Sequence, residues 1–175
     1  LIPADQSVSC EDDTSVGAMG SATATDTCDA APVVAFSDVV IDGECTHSYT
    51  IERTWTATDA CGNVASAVQT IEVSDNTIPV MIVPADVTIS PLADNSPAAL
   101  GEATATDNCD VAPVITYSDE IISSNCAAEY VISRNWTATD ACGNAAEGSQ
   151  IITVDGGGVV LTVPADTVAE CGDDT

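Results

Sequence analysis

Residues 53–63 read RTWTATDACGN, and residues 134–144 read RNWTATDACGN. The two stretches differ at one position and lie 81 residues apart (134 − 53). Working outward, SATATDTCDAAPV at 21–33 returns as EATATDNCDVAPV at 102–114 in the same register. PAD at 3–5 recurs at 84–86 and again at 164–166. The chain therefore reads as two full copies, 1–76 and 77–157, plus the opening strand of a third at 158–175. A period near 80 is too long for a solenoid unit and suits one small sandwich domain per copy.

Within a copy the pattern is strand, turn, strand. In 49–59, YTIERTWTATD, Tyr49, Ile51, Trp55 and Ala57 fall on one face, and Thr50, Glu52, Thr54, Thr56 and Thr58 on the other. Period-two alternation of this kind marks a strand with one buried face. Further strands are expected at 33–41 and 67–73, with counterparts at 114–122 and 149–154. Asp, Asn, Gly and Pro gather between them in DACGN, SDNTIP and IDGEC, which is turn chemistry. No segment keeps a 3.6-residue period. The expected fold class is all-β, as tandem immunoglobulin-like sandwiches.

Composition narrows the function classes. Of 175 residues 28 are Asp or Glu and 2 are Lys or Arg, giving a formal net charge of −26. Nucleic acid and anionic membrane surfaces are excluded as partners, because both need clustered basic side chains. Hydrophobic residues reach 45%, enough for packed cores, while aromatics are only 3%. The core must then be built from Val, Ile and Ala, which favours sheets. No run approaches the ~18–20 apolar residues of a membrane span. Leu1 opens in mid-pattern, so the chain reads as a mature product or as a window of something longer.

The aromatic residues occupy equivalent positions: Trp55 with Trp136, Tyr49 with Tyr130, Phe36 with Tyr117. Strand alternation assigns them to the core. The two arginines, Arg53 and Arg134, are also equivalent, and each lies on the Ile and Trp face of its strand. Each is expected to stack on the Trp or to pair with Asp38 or Asp119. The acids accompany no nucleophile and base, and His47 stands alone, so an enzyme is not expected.

TATD-x-CGN at 56–63 and 137–144, D-x-T-x-P at 75–79 and P-A-D at 84–86 resemble the hyalin-repeat family of immunoglobulin-like modules. They are closer still to the tandem repeats of giant secreted adhesins of gliding Bacteroidetes. The resemblance spans essentially the whole chain. It implies an extracellular β-sandwich module, secreted to the cell surface, that spaces or adheres and has no enzymatic role. Its partners would be neighbouring copies of the same repeat. The alternative is a module whose loops bind a surface glycan or protein. Two departures stand out: Pro91 sits where Cys10 and Cys171 occur, and VDGGG at 154–158 replaces SDNTIP.

Eight cysteines without a C-x₂-C pair point to disulfides in an oxidising compartment, not to zinc. In an immunoglobulin-like sandwich the loops bearing Cys28 and Cys61 share one end, as do those bearing Cys109 and Cys142. Cys10 and Cys45 belong at the opposite end. The expected bridges are Cys28–Cys61, Cys109–Cys142 and Cys10–Cys45, leaving Cys126 and Cys171 without mates. Some of the acids could hold Ca²⁺, which takes several hard oxygens from loops. Asp75 and Asn76 end the first copy, and Asp107, Asp110 and Asp140 should face them across the junction. The segment 158–175 either continues an array or completes a neighbouring sandwich by strand addition.

Overall fold

The computed structural model describes residues 1–158 and 161–162. The expected third-copy strand therefore lies almost wholly outside the described residues. The rest of the chain is all-β. In the first repeat, β1 (Gln6–Ser9), a one-turn helix α1 (Val16–Met19), β2 (Val33–Asp42), β3 (Tyr49–Thr58) and β4 (Val64–Ser74) follow in order. The second continues with β5 (Val80–Ile82), β6 (Val87–Ile89), a one-turn helix α2 (Pro97–Leu100), β7 (Thr104–Thr106), β8 (Val114–Cys126), β9 (Glu129–Thr139) and β10 (Ala145–Val154).

Both repeats build the same four-stranded sheet, in the order β1-β4-β3-β2 and β6-β10-β9-β8. The outer pairing, β1 with β4 and β6 with β10, is parallel, and the others are antiparallel. The opposing layer is thin. In the second repeat it is the antiparallel pair β5–β7, in which Ile82 lies opposite Thr104. In the first repeat the equivalent residues, Leu1 and Thr23, exchange two hydrogen bonds at 2.8 and 2.9 Å. The turns from β3 to β4 and from β9 to β10 are both DACGN. Their glycines, Gly62 and Gly143, adopt φ of 89° and 90°, a left-handed conformation that side chains resist. Asp59 and Asp140 close the turns by accepting bonds from the amides two and four residues ahead.

The buried face follows the alternation. Ile51, Trp55, Ile71 and Val73 are buried in the first repeat; Ile132, Trp136, Ile152 and Val154 take their places in the second. Gln69 and Gln150 share that face and are fully buried. Gln69 accepts a bond from Trp55 Nε1 at 3.2 Å and donates to the carbonyls of Ala4 and Met19, tying the opening segment to the sheet. Assignment of every aromatic to the core needs correction. Phe36 and Tyr117 are about half exposed (48% and 49%). They sit on β2 and β8, the edge strands of their sheets, where no further strand among the described residues pairs beyond them.

The two arginines are fixed by those edges. Arg53 lies opposite Asp38 in the β2–β3 register, and Arg134 opposite Asp119 in β8–β9. Each guanidinium is buried (3% and 1% exposed) and donates two bonds of 2.8–2.9 Å to its carboxylate. A third bond goes to the carbonyl of Thr14 or Asn95. The rings of Phe36 and Tyr117 lie 5.0 and 4.9 Å from the guanidinium carbons, so the arginines stack on these edge rings and not on the tryptophans.

Candidate functional site

The chemistry-bearing side chains gather where the tail of the first repeat meets the head of the second. The tail carries Cys10, just after β1, Cys45 in the turn between β2 and β3, and Asp75, just after β4. The head carries the loops at 107–110 and 140–144. Both loops are braced by hydrogen bonds of their own. Asp107 Oδ1 accepts from the amides of Cys109 and Asp110 at 3.0 and 2.9 Å, and Asp140 Oδ1 from those of Cys142 and Asn144 at 2.8 and 2.9 Å. Asp110 Oδ2 accepts from the Ala141 amide at 2.9 Å and so ties one loop to the other.

Two disulfides cross this junction. Cys10 bonds Cys109 with Cα atoms 6.1 Å apart, and Cys45 bonds Cys142 at 5.0 Å. The pairing expected from sequence, Cys28–Cys61, Cys109–Cys142 and Cys10–Cys45, is thereby corrected. The loops do share an end, as the Asp110–Ala141 bond and its counterpart from Ala60 to Asp29 show. But at that end of the second repeat Cys109 and Cys142 bond the tail of the preceding repeat, not each other. Among the described residues Cys28, Cys61 and Cys126 are exposed and bond no other cysteine. Between the repeats Asn144 Nδ2 also donates to the Asp75 carbonyl at 3.1 Å.

Beside the Cys10–Cys109 bond lies a cluster of three carboxylates. One oxygen each of Asp75, Asp107 and Asp140 lies within 4.8 Å of the others. Asp75 and Asp140 are 5% and 6% exposed. Asp75 Oδ2 and Asp107 Oδ2 are buried and lack any hydrogen-bond partner. At that spacing, and with an effective dielectric constant of ~20, each pair of ionised carboxylates would repel by about 3.5 kcal/mol or more. Burial pushes the Asp140 carboxyl up, but bonds from the Asn144 side chain and from the amides of Asn144, Cys142 and Gly143 outweigh it. The group stays below the usual carboxylate range, and hence ionised. Three converging acids with two orphaned oxygens fit a hard divalent cation.

Of the five residues expected to hold that ion, three are together. Asn76 instead donates to Ser74 Oγ, and both oxygens of Asp110 are taken by the amides of Ala112 and Ala141. Asp110 is not among the carboxylates that converge. Sequence reasoning missed Asn144 as an inter-repeat contact and Gln69 as a core anchor. Both carried a signal: Asn144 ends the duplicated CGN, and Gln69 shares strand parity with Ile71 and Val73.

No protein-family model matches the chain, and no curated protein matches it. Among the described residues no helix is long and apolar enough to cross a membrane. The two disulfides fit a non-reducing environment.

Proposed function

We propose that the chain is a non-enzymatic structural or adhesive module of an extracellular stalk, adhesin or filament, of the hyalin-repeat type its motifs resemble. Its repeats act as spacers set head on tail. The observation that carries this reading is the direction of the disulfides, which run between repeats. A bond inside a domain stabilises that domain. Two bonds at separate points across a junction remove the hinge that linked domains otherwise have, and a rigid junction is what a spacer needs. Loop-mediated recognition of a glycan is the weaker reading, since the head loops of the second repeat are consumed by the junction.

We extend the proposal to Ca²⁺, held by Asp75, Asp107 and Asp140 with water completing the shell. The ion would offset the carboxylate repulsion and add an ionic clamp beside the covalent one. Small-angle scattering of the oxidised chain tests the spacer reading. One elongated particle, two repeats long and unchanged between low and high salt, is expected. A broad distribution of inter-repeat angles with both bonds intact would sink it.

A further inference from the structure

The head of the first repeat is a copy of the head already engaged inside the chain. Asp26, Cys28, Asp29, Asp59, Cys61 and Asn63 stand where Asp107, Cys109, Asp110, Asp140, Cys142 and Asn144 stand. Their hydrogen bonds repeat as well. Asp26 Oδ1 accepts from the amides of Cys28 and Asp29 at 2.8 and 2.9 Å. Asp59 Oδ1 accepts from those of Cys61 and Asn63 at 2.9 and 2.8 Å. Asp29 Oδ2 accepts from the Ala60 amide at 2.9 Å, as Asp110 does from Ala141. Among the described residues no tail lies upon this head, and its two thiols are exposed.

We propose that this face is a preformed socket for the tail of another repeat of the same build, sealed by disulfides from Cys28 and Cys61 to the partner's cysteines. The engaged junction shows what sits in such a socket. By register, the Cys10-type cysteine of the incoming tail bonds Cys28, and the Cys45-type cysteine bonds Cys61. The chain's own second-repeat tail retains half of this set. Cys126, exposed at the end of β8, is the Cys45 equivalent, whereas Pro91 replaces the Cys10 equivalent. One copy can therefore engage the next through Cys126 and Cys61 alone. The contact is head to tail and does not close on itself, so it propagates as a filament. Each bond joins two thiols as Sγ–Sγ. The two thiol protons and two electrons pass to a small-molecule disulfide such as oxidised glutathione, whose S–S bond breaks and which leaves as two thiols.

The inference rests on the end-to-end reading of the chain, but its test looks at a different junction from the scattering experiment, so the two can fail separately. The full chain carrying Cys171→Ser, which leaves only the described thiols, is incubated in a glutathione redox buffer. Non-reducing electrophoresis and peptide mapping then read the products. A ladder of multimers linked Cys126 to Cys61 is expected, retained with Cys28→Ser and lost with Cys61→Ser. Adding Pro91→Cys should introduce a second link, from position 91 to Cys28, and strengthen the ladder. Monomers only, an internal Cys28–Cys61 bond, or symmetric Cys61–Cys61 and Cys126–Cys126 links would overturn it. Should Pro91→Cys misfold, the Cys126–Cys61 map of the parent chain decides alone.

Discussion

Replacing Asp38 with alanine removes the partner of a cation that has nowhere else to go. Arg53 is 3% exposed and makes three hydrogen bonds, two of them to Asp38. After the substitution only the Thr14 carbonyl and the Phe36 ring face the guanidinium. Stranding one member of a fully buried ion pair costs about 3–5 kcal/mol. Here the Asp38 side chain is 30% exposed, so water can reach the vacated position and solvate part of the fork. The expected loss is therefore about 2–3 kcal/mol. For a domain of this size that corresponds to roughly 10–20 °C in melting temperature. Urea unfolding should show the midpoint fall with an unchanged slope. The double variant Asp38→Leu with Arg53→Met should recover most of the loss, because no charge is then stranded. The penalty should also depend on pH. The hydrogen bond and charge of Arg53 hold the Asp38 carboxyl below its usual range, so the unfolded chain binds the proton more readily than the folded one. The pair's contribution is then complete above about pH 4, the unfolded value, and disappears as pH falls through the lower folded value. Unfolding at pH 3 should show a smaller difference between parent and variant than at pH 7. A loss under ~0.5 kcal/mol at pH 7, the level of an ordinary exposed pair, would refute the reasoning.

Two further outcomes follow from the junction and the core. At fixed ionic strength, adding millimolar Ca²⁺ after chelation should raise the melting temperature of the parent but not of Asp75→Asn with Asp107→Asn; equal curves for all would dismiss the ion. Gln69→Ala leaves Trp55 Nε1 and the carbonyls of Ala4 and Met19 without their partner inside the core, and should cost about 2–4 kcal/mol in urea unfolding.

The legible part of the fold was carried by parity. Alternation along 49–59 put Ile51, Arg53 and Trp55 on one face, and their burial follows from it. In the sequence Asp38 and Asp119 are only nearby acids, with stacking on Trp as the alternative; it is the register of β2 with β3 and of β8 with β9 that sets them opposite the arginines. Parity says nothing about which strand lies at an edge, and so Phe36 and Tyr117 were misplaced. The cysteines show a second limit. Loop position tells which end of a sandwich a thiol occupies, but not what stands beyond that end. Cys109 and Cys142 share an end yet do not bond each other, because a neighbouring repeat offers Cys10 and Cys45 instead. The acid cluster was partly legible for the same reason. Asp75, Asp107 and Asp140 were assigned to the junction by their loops, whereas the commitment of Asp110 to the Ala141 amide is a matter of local geometry that spacing does not encode.

Covalent bonds between the repeats are read directly by peptide mapping. The oxidised chain, digested under acidic non-reducing conditions that prevent exchange, should yield one peptide pair joining Cys10 to Cys109 and another joining Cys45 to Cys142. Recovery of Cys10 with Cys45, Cys109 with Cys142 and Cys28 with Cys61 would place every bond inside a repeat and contradict the inter-repeat pairing.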